Sequence, residues 1–193
     1  PEPSILSIND MANDNGGFVL IEFTGSGYDV GDRTEFYIAE ININGNWVTA
    51  SFSPPYGDEV YGCIVHTISD SSSTSDGLSE YRVLANMDDG VFISDSAWGY
   101  SVDNIHPSVP EDMFASSSEQ DVNLSWSYTE DIDFAHHMVS DIDDNPAYTI
   151  GNDIIIPLNT SYNEYHVNSM DINGNMSDNS EYASAYDLSQ GAN

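Results

Sequence analysis

The sequence predicts an all-β chain built as two β-sandwiches in tandem. Three observations carry that expectation. Short runs rich in Val, Ile, Phe, Tyr and Trp are separated by Gly, Asn, Asp, Ser and Pro, and no stretch shows the 3.6-residue period of an amphipathic helix. The second half repeats the scheme of the first. Twelve Tyr, seven Phe and three Trp supply aromatic bulk for a core, which a disordered acidic chain would lack.

The first half reads as strands at Phe18 to Phe23, Thr34 to Ile41, a short run opened by Trp47, Glu59 to Ile68, Ser79 to Asn86, Val91 to Ser94 and Trp98 to Val102. Asn44-Gly45 is a two-residue hairpin signal before Trp47. In the second half Asp121 to Trp126 alternates, with Val122, Leu124 and Trp126 on one face, which assigns Trp126 to a core. Phe134 to Val139, Asp153 to Pro157, Tyr162 to Met170 and Tyr182 to Leu188 complete it. The proline-bearing stretch Asp103-Asn-Ile-His-Pro-Ser-Val-Pro110 reads as a stiff connector. The expected domains are therefore 1–106 and 107–193. Ser69 to Asp76 is a low-complexity loop. The opening Pro1-Glu2-Pro3 reads as the start of a processed or excised piece of a longer protein.

Charge narrows the function classes. The chain carries 33 acidic residues against two basic ones, Arg33 and Arg82, for a net charge of −31. Nucleic acid and anionic membrane surfaces are poor partners for such a surface, since both are gripped by Lys and Arg. Of the acids, 17 precede residue 107 and 16 follow it, so neither half is an acidic tail on a neutral domain. Self-repulsion opposes compaction, and with so few internal bases the remedies are salt and bound divalent cations. Cys63 is the only cysteine, which excludes an intramolecular disulfide; its apolar neighbours assign it to a core. No window of about 20 apolar residues is present to span a membrane as a helix.

The second half resembles a fibronectin type III domain over nearly its whole length. Pro107-Ser-Val-Pro110 is similar to the proline-rich entry, Val122-Asn-Leu-Ser-Trp126 to the second strand with its core tryptophan, and Tyr165 to Ser177, with Gly174-Asn-Met-Ser177, to the penultimate strand and the turn that follows. In the first half, Asn13-Asp-Asn-Gly-Gly17 leading into Phe18 to Thr24, and Gly99 to Pro107 as the exit, resemble the fibronectin-like modules of large bacterial surface and secreted proteins. The resemblance implies immunoglobulin-like sandwiches in an extracellular or cell-surface protein. Both modules depart from it in their near-absence of bases, and no Arg-Gly-Asp adhesion loop is present.

Candidate sites are carboxylate clusters. Asp131-Ile-Asp133, Asp141-Ile-Asp-Asp-Asn145 and Asp171-Ile-Asn-Gly-Asn175 place oxygen ligands at alternate positions, the donor type hard cations such as Ca2+ require. Each alone also reads as a turn whose Asp and Asn side chains bond their own backbone. In a fibronectin-like sandwich the loops holding Asp131, Asp133, Asp171 and Asn173 share the pole at which Asp103 and Asn104 enter. Together they form an expected calcium site, resembling the linkers of cadherins, where Asp-Asn also precedes a proline, here with one more residue between. His136 and His137, adjacent on a strand, point to opposite faces and cannot share a metal; His66, His106 and His166 are isolated. Asn123, Asn159 and Asn175 open glycosylation sequons, and Ser69 to Ser75 is an O-glycan candidate. No Gly-x-Ser-x-Gly elbow occurs, and modules of this size leave little room for a catalytic cleft.

The expected function is therefore non-catalytic: a segment of an extracellular fibre, stalk or filament serving spacing, adhesion or polymerisation, with copies of itself or neighbouring modules as partners. The alternative is a glycan- or receptor-binding accessory module of a larger secreted enzyme or adhesin. An exposed aromatic patch around Trp47 and Trp98 would favour the latter.

Overall fold

The computed structural model describes residues 2–29, 35–118, 120–158 and 162–186. The chain divides into two compact units, Pro1–Asn104 and Ile105–Asn193. Every named element of the described residues is a β-strand.

The first unit contains β1 (Ser4–Asp10), β2 (Phe18–Thr24), β3 (Phe36–Ile43), β4 (Asn46–Ser53), β5 (Val60–His66), β6 (Ser79–Met87), β7 (Gly90–Ile93) and β8 (Ala97–Gly99). One sheet runs β1-β2-β5; the other runs β4-β3-β6-β7, with β8 also pairing β6. Alternation decides what lies between them. Val19, Ile21 and Phe23 of β2 and Tyr61, Cys63 and Val65 of β5 meet Tyr37, Ala39 and Ile41 of β3 and Tyr81, Val83, Ala85 and Met87 of β6 in one buried cluster. The β3–β4 hairpin turns at Asn44 and Gly45, both at positive φ (53° and 86°), the left-handed pair that a two-residue turn between twisted strands requires. Gly99 on β8 lies against Ile8 of β1, where any Cβ would collide with the isoleucine side chain.

The second unit contains β9 (Phe114–Ser117), β10 (Asp121–Ser125), β11 (Phe134–Asp141), β12 (Pro146–Thr149), β13 (Asp153–Pro157), β14 (Tyr162–Asp171) and β15 (Ala183–Tyr186). Its sheets run β9-β10-β13 and β12-β11-β14-β15. In both units the first, second and fifth strands form one sheet and the fourth, third, sixth and seventh the other. All pairings between the named strands are antiparallel. Each unit is thus an immunoglobulin-like sandwich of the fibronectin type III kind. Val122, Leu124 and Trp126 pack on Val139, Tyr165, Val167 and Ala185.

Three strands escape the sequence reading: β1, β9 and β12. All lie at sheet edges, where one side of the ladder is open and the alternation is diluted by Ser, Asn and Pro. Pro146 can begin β12 because an edge strand tolerates a missing donor. The last strand ends at Tyr186 among the described residues, and the expected extension to Leu188 lies outside them.

His137 and His166 give the second unit an acid sensitivity. Burial lowers the pKa of His137, against a hydrogen bond to the Asn168 backbone that raises it, with the neighbouring His136 lowering it further. Burial also lowers that of His166, partly offset by Asp144. Folding therefore favours the neutral form of both, whereas the unfolded histidines titrate near 6.5. Their contribution to stability is therefore present above about pH 6.5 and lost as pH falls toward the folded values. Denaturant unfolding at constant ionic strength, followed by NMR of second-unit amides, should show stability falling from pH 7 to 5.5. The fall should be smaller in His166→Gln.

Candidate functional site

The acidic loops are held by hydrogen bonds from the backbone and from Asn and Ser side chains. In the second unit β11 and β14 pair so that Phe134 stands opposite Asp171. That register brings the loop before β11 against the loop after β14, and Ile172 N–H donates to the Asp133 carbonyl at 2.9 Å. Asp171 is 3% exposed. Its Oδ1 accepts the N–H groups of Asn173 (2.9 Å) and Asn175 (2.8 Å). Its buried Oδ2 has no hydrogen-bond partner. Carboxylate oxygens of Asp133 and Asp171 lie within 4.8 Å of each other.

The other predicted residues are placed as follows. Asp131 spends both oxygens on Ser108, accepting its N–H at 2.7 Å and its hydroxyl at 2.9 Å; it clamps the extended segment that leads into the second unit. Asn104 is locked within the first unit: its Oδ1 accepts Asn13 N–H (2.7 Å) and Asp14 N–H (3.2 Å), and its Nδ2 donates to Asp10 Oδ2 (2.9 Å). Asp103 is buried and forms an isolated bridge with Asn15. Asn123 is exposed on β10, Asn175 is half-buried and its amide donates to the Ile105 carbonyl at 3.4 Å, and Asn159 lies outside the described residues.

The Asp141 cluster is a local turn. Asp141 Oδ1 accepts the N–H groups of Asp143 and Asn145 and the Asn145 side chain, while Oδ2 accepts Asn145 and Asn163. Burial pulls its pKa up, but these hydrogen bonds win and hold it below the ordinary aspartate value. A carboxylate saturated this way has no lone pairs directed at a ligand.

A group that the sequence did not bring together gathers in the first unit: Asp10, Asp14 and Asp70 with Asp103, the one expected site residue among them. Asp10 Oδ1 accepts Val102 N–H at 2.8 Å. Asp70 accepts Gly17 N–H (2.6 Å) and the Ser101 hydroxyl. Burial raises the pKa of Asp14, a hydrogen bond from Gly16 N–H opposes that, and the charges of Asp10, Asp70 and Asp103 raise it further. An elevated folded pKa means that ionised Asp14 costs stability once pH rises through the carboxylate range. Asp14→Asn keeps an acceptor for Gly16 and should raise the melting temperature at pH 7 and low salt. The gain should shrink in 0.5 M NaCl, which thermal melts at two salt concentrations will check.

His106 is exposed; the other four histidines serve packing. His66 lies on Phe18 at 4.2 Å, His136 on Tyr148 at 5.6 Å and His166 on Tyr182 at 5.1 Å, centroid to centroid. His137, 2% exposed, stands edge-on to Trp126 at 5.1 Å.

A scan against protein-family models finds no match, and a search of the curated proteins finds none. Among solved structures the chain is similar to the crystal structure of chicken CNTN1 FN1-FN3 domains, at 15% identity and a TM-score of 0.41, over 96% of this chain and 67% of that one. The order of strands in its own two sheets makes each unit a fibronectin type III-like sandwich.

Proposed function

We propose that the chain is a non-catalytic structural segment of an extracellular fibre, stalk or filament. The observation that carries this reading is where the reactive side chains go: into structure. Burial pushes the Cys63 thiol up to about 11, leaving almost no thiolate at neutral pH. Ser169 Oγ lies 3.5 Å from His137 Nδ1, but both residues are sealed in the core, closed to any substrate. What the units present outward is negative charge and open strand edges, of which β1, β4, β9 and β12 are examples. Edges of this kind accept a strand from another chain, so copies of the chain or neighbouring modules are its partners. Among the described residues no helix is long and apolar enough to cross a membrane. Electron microscopy and analytical ultracentrifugation at millimolar calcium test the reading. Filaments or discrete oligomers are expected; monomers alone would count against self-assembly.

One observation favours a second reading, a glycan-binding accessory module. The outer face of the β4-β3-β6-β7 sheet is rich in apolar groups. Phe52 and Trp98 are 66% and 60% exposed, with Val91 and Ile93 on the neighbouring β7. Register puts Trp98 opposite Glu80 and Trp47 opposite Asn42. Arg82 stacks over Trp47 at 4.3 Å and pairs with Glu40 at 2.6 Å. Flat aromatics beside hydrogen-bonding groups are a surface on which sugar rings stack. Binding on a glycan array that disappears in Trp98→Ala would support it; an array without signal would remove it.

A further inference from the structure

Asp171 stands apart from Asp131 and Asp141, two other hydrogen-bonded acids of the second unit's turns. Asp131 and Asp141 have both oxygens hydrogen-bonded. Asp171 is the most buried of the three, yet its Oδ2 has no hydrogen-bond partner. A buried polar atom without a partner keeps the full cost of its lost hydration, and the cost is greater when the group is charged. A second carboxylate, that of Asp133, stands within 4.8 Å, so the pair adds like-charge repulsion to the cost. No base in the second unit relieves it, since residues 105–193 contain neither Lys nor Arg.

We propose that the loop pole of the second unit binds a divalent cation, Ca2+ by preference, between Asp133 and Asp171. Calcium holds its oxygen ligands at about 2.3–2.6 Å, so two oxygens on one ion stand up to about 5 Å apart; the Asp133–Asp171 spacing fits that limit. The two N–H groups on Asp171 Oδ1 fix the carboxylate and leave Oδ2 for the metal. The Ile172 N–H bond to the Asp133 carbonyl holds the two loops in register, so the pair is set before the ion arrives. Two carboxylates, one on the turn before β11 and one at the end of β14, suit the six to eight flexible oxygen ligands of Ca2+, completed by water, better than the strict octahedron of Mg2+. The site is independent of whether the chain assembles into fibres, and a monomer would bind the ion equally.

Isothermal titration of the chelator-treated full chain with CaCl2 tests this, with NaCl at matched ionic strength and MgCl2 as comparisons. The expected result is one saturable Ca2+ per chain with a dissociation constant of about 1 mM or tighter, the range of extracellular calcium modules, and weaker binding of Mg2+. Asp133→Asn, which alters a half-buried side chain, should weaken binding at least tenfold. Asp121→Asn, at an exposed position on β10, should leave it unchanged. Circular dichroism of both variants establishes that they are folded. No saturable heat would overturn the proposal. So would equal binding by wild type and Asp133→Asn, or equal losses in Asp133→Asn and Asp121→Asn, the mark of diffuse counterion attraction.

Discussion

Trp126→Ala should destabilise the second unit by about 3–5 kcal/mol, the range for removing a buried aromatic. Trp126 is 4% exposed and packs in the same cluster as Leu124, Val139 and Val167. For a domain of roughly 90 residues this is a large fraction of total stability. Trp126→Phe should cost much less, because the indole Nε1 has no hydrogen-bond partner to lose and most of the apolar area is kept. Denaturant titration followed by second-unit NMR signals would show it, and an alanine cost below about 1 kcal/mol would remove Trp126 from the core.

The second large effect concerns Tyr37, which joins the first unit's core to its loops. Its ring is 1% exposed and meets Phe23 at 5.2 Å and Tyr61 at 4.6 Å. Its hydroxyl accepts Ser26 N–H at 2.8 Å and donates to Asp29 Oδ2 at 3.0 Å; Tyr61 donates to the same oxygen. Burial raises the tyrosine pKa, the Ser26 N–H opposes it, and the Asp29 carboxylate raises it again, so the phenol stays protonated and remains a donor. Tyr37→Ala should cost about 3–5 kcal/mol by loss of the buried ring. Tyr37→Phe isolates the hydroxyl and should cost about 1–3 kcal/mol, since one of its bonds is to a charged partner. Equilibrium unfolding of both variants separates the two terms. A Tyr37→Phe cost as large as that of Tyr37→Ala would mean the ring contributes little.

How much of this was legible in the sequence depends on the reach of each signal. Central strands announce themselves locally: Val122, Leu124 and Trp126 alternate because β10 lies between two partners with one face on the core. Edge strands such as β1 and β12 are specified mostly by what they pair with. The Asp141 turn is also local, since its acceptors and donors lie within four residues apart from Asn163. The Asp10–Asp14–Asp70–Asp103 group is the opposite case. Asn104 reaches Asp10 across 94 residues, and no pattern in one segment reports a neighbour that distant. The nearness of Asp133 and Asp171 follows from the β11–β14 register, reachable from sequence only through the resemblance that placed their loops at one pole. The unsatisfied oxygen of Asp171 had no sequence signal, because burial of a loop carboxylate is set by the packing of both loops.

The most direct test of the account is amide hydrogen exchange of the full chain with and without calcium, compared at equal ionic strength in NaCl. If the acidic loops of the second unit hold a cation, calcium will slow exchange at Ile172, Asn173 and Asn175, the donors to Asp133 and Asp171, and leave the Asp141 turn unchanged. Equal protection by sodium, or protection spread evenly over all acidic loops, would contradict it.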